Sequence, residues 1–183
     1  HSIVTCKNCR FEYVSNPIDW SRSQISGAAK KRRIRPRHTV LVNFAEMTGS
    51  RSILEVGSGV GELGLLLTER GIGYVGVEPD ASRAASCQDA GLDVRTTPLE
   101  LLPADLKFDL VVIDNVLEHV IDPVGLLNTA QAFLGDGGRL VVVVPNRKDI
   151  RSHVPSWSRK HLWTPRVHVN YFTGATLKDA LVR

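Results

Sequence analysis

The sequence predicts an α/β fold: a Rossmann-like, doubly wound and mostly parallel sheet with helices on both faces. Short β-prone apolar segments alternate with segments whose leucines recur at helical spacing, and glycine-rich turns separate the two kinds. The segment 108–113 is continuously apolar, which is typical of a parallel strand buried on both faces. The length of 183 residues suits a compact domain of this class.

The elements follow in order from periodicity and end signals. A helix is expected over 39–47, closed by Thr48 and Gly49. Three strand segments and two helical segments then alternate, at 52–56, 62–70, 74–78, 81–90 and 92–95, before the strand at 108–113.

The C-terminal third should hold two more helices and one more strand. Asp122 and Pro123 form an N-cap carboxylate and a first-turn proline, which predict a helix ended by the glycine cluster 135–138. A strand is expected at 139–144 and a last helix near Thr173. Since no further strands follow that helix, we expect the domain to be truncated at its C-terminus.

Composition favours a soluble cytoplasmic protein. Hydrophobic residues make up 43% of the chain and charged residues 23%, and neither a signal peptide nor an apolar run near ~20 residues is seen. The net charge of +4 owes much to the run from Lys30 to Arg37, which could bind phosphates of nucleic acid or lie on a solvated helix or linker. No membrane partner is predicted, and no feature indicates an oligomeric state.

A glycine-rich loop follows the first predicted strand of the sheet. Gly57, Gly59 and Gly61 occupy alternate positions there, which lets the backbone turn sharply and a ligand approach closely. In the dinucleotide-binding pattern that starts at Gly57, the third glycine should stand where Glu62 is, so the loop fits that class poorly. Glu78 ends the next strand, where a carboxylate can bind both hydroxyls of a ribose.

Four motifs in order then resemble the class I S-adenosylmethionine-dependent methyltransferases. They are Leu54–Gly61, Gly76–Pro79, Phe108–Val120 and Gly137–Asn146. The resemblance implies that S-adenosyl-L-methionine is the cofactor and that the chain is an enzyme of this family.

The same resemblance assigns roles to residues of the motifs. The loop Gly57-Ser58-Gly59 with Gly61 would line the methionine portion, Glu55 would hold its amino group through water, and Glu78, next to Pro79, would bind the ribose. Asp114 and Asn115 would approach the methionine portion as well. Pro98 and Leu99 would contact the adenine, although the family usually has a small or acidic residue where Pro98 stands.

Two flanking segments resemble a bacterial branch of this family. Cys6 and Cys9 have a spacing that suits zinc or a redox pair, and the segment around them resembles the second half of a zinc ribbon, although Arg10 replaces the usual glycine. We therefore expect a partial zinc ribbon at 1–20 with zinc as a candidate ligand. A basic linker and leading helix at 21–49 would follow, then the methyltransferase domain at 50–183, with a lid at 147–172.

Methyl transfer to an oxygen or carbon needs an aligned acceptor and, often, a base. Histidine suits the base role because its pKa lies near neutrality, which makes His119, His161 and His168 the candidates. Each of the three could instead be a surface or backbone-bonded histidine. The predicted function is methylation of a small molecule: a sugar, a quinone precursor or a natural product. The alternatives are an inactive or nucleic-acid-associated module and an NAD-dependent oxidoreductase.

Overall fold

The computed structural model of the protein describes residues 2–17, 31–153 and 167–182. The helices are α1 (Pro36–Met47), α2 (Glu62–Thr68), α3 (Ala81–Gln88), α4 (Pro123–Gln131) and α5 (Gly174–Leu181). The strands are β1 (Ile3–Thr5), β2 (Glu12–Val14), β3 (Ser52–Val56), β4 (Gly73–Val77), β5 (Val94–Arg95), β6 (Phe108–Asp114), β7 (Leu134–Val143) and β8 (Asn170–Tyr171).

The chain divides into two compact units. One comprises His1–Ser23, Asn115–Asn128 and Val143–Arg183, and the other comprises Gln24–Asp114 and Thr129–Val142. We call the first the terminal unit and the second the sheet unit. None of the helices within the described ranges is both long and apolar enough to cross a bilayer.

The sheet unit contains a five-stranded sheet with the order β5-β4-β3-β6-β7. Strand β3 pairs in parallel with β4 on one side and with β6 on the other. Its residues Ile53 and Leu54, and Leu110 and Ile113 of β6, are almost completely buried, as a central parallel strand requires. The predicted α/β fold is thus confirmed.

The predicted elements of the sheet unit appear with small shifts at their ends. Strand β3 has the expected bounds, and α1 begins three residues earlier than expected, because Pro36 fits the first helical turn. Helix α3 starts where Asp80 caps it by accepting hydrogen bonds from the backbone N–H groups of Ser82 and Arg83, both at 3.0 Å.

The glycine cluster 135–138 does not lie in a turn that ends α4, so this prediction was wrong. Helix α4 ends at Gln131, and the glycines belong to β7. A Cβ built on Gly138 would lie 2.9 Å from the carbonyl oxygen of Phe108, the first residue of the neighbouring strand. The glycine therefore permits a close backbone approach inside the sheet.

The terminal unit contains a three-stranded antiparallel sheet that the sequence did not predict. Strand β2 pairs with β1 and with β8, which brings the N-terminal hairpin against residues some 160 positions away. Val14, Val169 and Tyr171 form its small buried core. An ion pair between Arg147 Nε and Glu12 Oε2, at 2.8 Å, links the same hairpin to the segment after β7.

The two N-terminal cysteines lie in the tight turn between β1 and β2. The backbone N–H of Cys6 donates to the carbonyl of Phe11 at 2.8 Å, and Arg10 N–H donates to the carbonyl of Cys6 at 3.0 Å. Arg10 has a φ of 62°, the left-handed conformation that favours glycine. The backbone at Arg10 thus has a conformation that is typical of glycine. Neither cysteine forms a disulfide.

We predict that Arg10→Gly stabilises the protein by about 0.5–1 kcal/mol, because glycine adopts this φ without the Cβ clash. Urea denaturation of the two proteins measures the difference in the free energy of unfolding. Arg10→Ala is the matched control, since it removes the same exposed side chain and keeps the Cβ. Equal stabilisation by both substitutions would show that the side chain, and not the backbone, is the cause.

Candidate functional site

The glycine loop after β3 is anchored to the end of β4. The backbone N–H groups of Gly57 and Ser58 both donate to the carbonyl of Val77, at 2.8 and 3.1 Å. Gly57, Gly59 and Gly61 all have positive φ values, of 80°, 58° and 85°. The loop therefore turns sharply between β3 and α2, as the glycine pattern predicted.

Glu78 lies beside this loop in a defined orientation. Its Oε2 accepts a hydrogen bond from the backbone N–H of Gly59 at 2.8 Å, and its Oε1 accepts one from Asp80 N–H at 3.0 Å. The side chain is buried, and burial raises the pKa of Glu78, while the two backbone N–H groups and the nearby Arg83 partly offset that rise. The carboxylate is held in place by the loop itself.

Gly59 and Gly61 differ in what surrounds them. Among the described residues, a Cβ on Gly59 would meet only the Oε2 of Glu62, at 4.0 Å, so none of them fills the space in front of this part of the loop. A Cβ on Gly61 would lie 2.6 Å from Leu92 Cδ1 and 3.1 Å from Cys87 Sγ. The absent side chain of Gly61 therefore makes room for the packing of α2 onto its neighbours, rather than for a ligand.

We predict that Gly61→Ala destabilises the protein by about 2–4 kcal/mol, since a positive φ and an overpacked contact both oppose the new methyl group. Gly71→Ala is the control, because Gly71 has a φ of 70° and a Cβ placed on it would meet none of the residues that the structure describes within 4 Å. The free energy of unfolding of Gly71→Ala should fall by only about 1 kcal/mol, the cost of a positive φ for a residue with a Cβ. Chemical denaturation of both variants checks the difference, and equal losses would contradict the packing role.

Glu55 lies inside the sheet with Tyr74 as its partner. The Tyr74 hydroxyl donates to Glu55 Oε2 at 2.5 Å, and both side chains are buried. Burial raises the pKa of Glu55 to about 8, and the negative charges of Asp114, Glu62 and Glu78 add to the rise, against the hydrogen bond from Tyr74. The sequence did not predict this pairing, which depends on Gly76: a Cβ there would lie 2.7 Å from the Tyr74 hydroxyl.

We predict that stability falls as the pH rises from about 4.5, the ordinary pKa of a glutamate, to about 8, the pKa of folded Glu55. In that window the folded protein holds a proton that the unfolded chain has released, so raising the pH favours unfolding. The variant Glu55→Gln keeps an acceptor for Tyr74 and cannot ionise. Its free energy of unfolding should decline less than that of the wild type, and parallel curves for the two proteins would contradict the shifted pKa.

Asp114 ends β6 and is bound by two residues of α1. Its Oδ2 accepts a hydrogen bond from Arg37 Nε at 2.6 Å and lies 3.6 Å from His38 Nε2. Although burial raises the pKa of Asp114, the hydrogen bonds from His38 and Arg37 outweigh burial and hold it below its usual range. Asn115 follows with a φ of 54°, and its N–H donates to the carbonyl of Val143 at 2.8 Å.

The other predicted cofactor residues lie in varied surroundings. Ser58 is buried within the loop, and Pro79 is exposed just after β4. Pro98 is exposed and precedes a short 3₁₀ turn, Leu99–Leu101, in which Leu99 is buried.

The described part of the basic run, residues 31–37, contacts the glycine loop and its neighbours. Arg32 Nε donates to the carbonyl of Val60 at 2.8 Å, and its Nη2 donates to the carbonyl of Ser86 in α3. The backbone N–H of Arg33 donates to Glu62 Oε1 at 3.2 Å. Two side chains of the run, those of Arg32 and Arg37, are thus engaged within the sheet unit.

A cluster of three ionisable side chains lies in the terminal unit. The rings of His119 and His168 meet edge to face with centroids 4.9 Å apart, and His119 Nε2 lies 3.8 Å from Glu118 Oε1. One potential ligand atom of each residue lies within 4.8 Å of the others. Two of the three predicted base candidates are thus brought together, while His161 lies outside the described residues.

Asn170 holds the loop that carries this cluster. Its Nδ2 donates to the carbonyls of Leu117 and Val120, at 2.9 and 2.6 Å. The backbone N–H groups of Val169 and Asn170 both donate to the carbonyl of Glu118. The sequence did not predict a role for Asn170 or Glu118, and the signal it offers is that each lies within two residues of a candidate histidine.

The chain matches the family model described as "Methyltransferase domain" over residues 28–183. An uncharacterized methyltransferase of Mycobacterium sp. (strain KMS) is 38% identical over 97 residues, covering 51% of this chain and 38% of that protein. A ubiquinone biosynthesis O-methyltransferase of Bradyrhizobium sp. (strain ORS 278) is 35% identical over 101 residues, covering 52% of this chain and 40% of the relative. The matches thus span less than half the length of these relatives.

The fold is similar to that of solved methyltransferases. The plantazolicin methyltransferase BpumL, in complex with a pentazolic desmethylPZN analogue and S-adenosylhomocysteine, aligns with a TM-score of 0.63 at 14% identity. The alignment covers 79% of this chain and 60% of that one. At this identity the likeness extends to the fold alone.

Proposed function

Because the chain belongs to the class I methyltransferase family, we propose that it transfers a methyl group from S-adenosyl-L-methionine to a small-molecule acceptor. The observation that carries this proposal is the Glu78 carboxylate, fixed by the N–H of Gly59 at 2.8 Å at the end of a parallel strand. Ligands of open α/β sheets bind at this edge, and a carboxylate so placed binds ribose hydroxyls.

The residues of this edge fit the proposed cofactor. Among the described residues, nothing fills the space at Gly59, which leaves room for a ligand against the backbone. The buried acids Glu78 and Glu55 suit a sulfonium and an amino group, since a positive charge beside Glu55 would favour its ionised form over the protonated form that burial favours. Glu62, which stands where a dinucleotide-binding loop has its third glycine, supports the methyltransferase over an NAD-dependent oxidoreductase.

In this proposal each residue has a part in binding. Glu78 binds the ribose, Gly57 and Gly59 let the methionine portion approach the backbone, and Glu55 faces its amino group. Asp114 and Asn115 border the same portion, Pro98 and Leu99 flank the adenine, and Ser58, Pro79 and Gly61 shape the loop. The cofactor supplies an electrophilic methyl group, which an acceptor oxygen or carbon takes up as the carbon–sulfur bond breaks.

The acceptor is proposed to be a sugar, a quinone precursor or a natural product, and the quinone precursor has the support of the Bradyrhizobium relative. Positioning the acceptor supplies most of the rate gain, and loss of its proton must accompany O-methylation. An imidazole of His119, His168 or His161 can assist either by accepting that proton or by holding a metal ion that lowers the pKa of the acceptor. Cys6 and Cys9 remain proposed ligands of a separate zinc.

We predict that Gly59→Arg abolishes binding of S-adenosylhomocysteine and that Glu78→Gln weakens it about 10–100-fold, the loss of hydrogen bonds to a charged acceptor. Thermal shift with S-adenosylhomocysteine, and with NAD for comparison, measures both effects. At about one hundred times its dissociation constant, a ligand adds ~2.7 kcal/mol to stability.

Matched controls separate binding from folding. Gly49→Arg introduces the same side chain at a glycine with a φ of 68° and open surroundings. Asp93→Asn neutralises an exposed carboxylate paired with Arg95 in the same unit. Both controls should bind S-adenosylhomocysteine as the wild type does. Retained binding in Gly59→Arg, or stabilisation by NAD alone, would contradict the proposed function.

A further inference from the structure

The cluster of Glu118, His119 and His168 has the donor set of a metal site. Two imidazoles and one carboxylate converge from two chain segments, and their ligand atoms lie within 4.8 Å of one another. Glu118 is buried, and the two histidines are half-buried. A carboxylate buried beside two imidazoles differs from the acidic surface patches that occur on most proteins.

The hydrogen bond of His119 fixes the nitrogen that can bind an ion. Its Nδ1 lies 2.9 Å from the carbonyl oxygen of Val167, and because a carbonyl only accepts, Nδ1 carries the proton. The lone pair of the neutral ring is then on Nε2, the atom 3.8 Å from Glu118 Oε1. Metal-binding histidines commonly donate their second N–H to a backbone carbonyl in this way, which orients the ring.

The backbone that carries the three residues is held in place by hydrogen bonds. Asn170 ties down both sides of the 117–120 loop, and the N–H of Val169 reaches the carbonyl of Glu118 at 2.7 Å. The segment that carries His168 is therefore joined to the segment that carries Glu118 and His119. Such support keeps ligands near a working geometry before an ion binds.

We propose that Glu118, His119 and His168 bind a divalent ion of zinc's class, with an open fourth position. Two histidines and a glutamate form a known type of catalytic zinc site, and imidazole favours zinc over the hard ions magnesium and calcium. Zinc ligands at 2.0–2.2 Å in tetrahedral geometry lie about 3.3–3.6 Å apart. The ligand atoms, which lie within 4.8 Å of one another, reach that spacing when side-chain rotation moves them by about 1–1.5 Å.

An ion bound here would have a chemistry of its own. A hydroxyl bound in the open position would release its proton to water near neutral pH, because the charge of the ion lowers the pKa of the hydroxyl.

The experiment measures zinc binding in a protein with Cys6→Ser and Cys9→Ser, so that the cysteine turn cannot contribute. Competition with a chromophoric chelator should reveal one bound zinc per chain. In this background, His168→Ala and Glu118→Gln should each lower the zinc affinity at least about tenfold. Asp149→Asn, which neutralises a half-buried carboxylate paired with Arg151 in the same unit, should leave the affinity unchanged.

Nitrogen NMR of the histidine side chains provides a second measurement that needs no ligand variant. Zinc should shift the Nε2 resonance of His119, while its Nδ1 stays protonated. Absence of zinc binding in the cysteine-free protein, equal affinity in the ligand variants, or an unmoved Nε2 resonance would each overturn the proposal. The thermal shift with S-adenosylhomocysteine is recorded on the same samples, so failure of the proposed function is seen separately.

Discussion

Because β3, β4 and β6 are parallel, Glu55, Glu78 and Asp114 lie close to one another at the carboxyl end of the sheet. Many of the surrounding contacts compensate the charges of these three acids. Val56 pairs with the last residue of β4 and with Ile113 of β6, which places Glu78 and Asp114 level with Gly57 on its two sides. Glu55 lies two residues before Gly57. Each acid has its own partner: a tyrosine hydroxyl, backbone N–H groups, or the pair of basic residues in α1. Without these partners, three buried carboxylates would repel one another strongly.

The partners compensate the negative charges of the three acids unequally, so the acids differ in their pKa values. Asp114 receives a positive charge from Arg37, whereas Glu55 has only a neutral hydroxyl and responds by holding its proton, with a pKa of about 8. A cationic ligand near Glu55 would favour its ionised form, so ligand binding and proton release are coupled by the same charges. The basic run contributes to this balance, since Arg37 belongs to it and Arg32 binds the carbonyl of Val60. The composition of the basic run alone therefore does not indicate a nucleic-acid-binding surface.

Local patterns in the sequence predicted the sheet unit well, because burial on both faces leaves continuous apolar strands and clear turn residues between them. These local patterns did not predict features that depend on contacts between residues distant in the sequence. The glycines of 135–138 indicate a turn by composition, yet they lie in β7, where Gly138 allows the carbonyl of Phe108 to approach closely. Tyr74 and Glu55 stand 19 positions apart, and His119 and His168 stand 49 apart. No local periodicity encodes such pairs, so the sequence named the histidines without predicting their contact.

The glycine loop shows why a motif must be explained position by position. Gly57, Gly59 and Gly61 all have left-handed backbones, so each would resist a side chain on conformational grounds alone. Their surroundings in the described parts of the chain nevertheless differ: no side chain fills the space in front of Gly59, beside Glu78, while Gly61 faces Leu92 and Cys87. The thiol of Cys87 also donates to the carbonyl of Gly59, at 3.5 Å. The residues that pack against Gly61 therefore also hold the backbone of Gly59. A defect in cofactor binding at Gly61 would therefore reflect a displaced loop, whereas one at Gly59 would reflect a filled site.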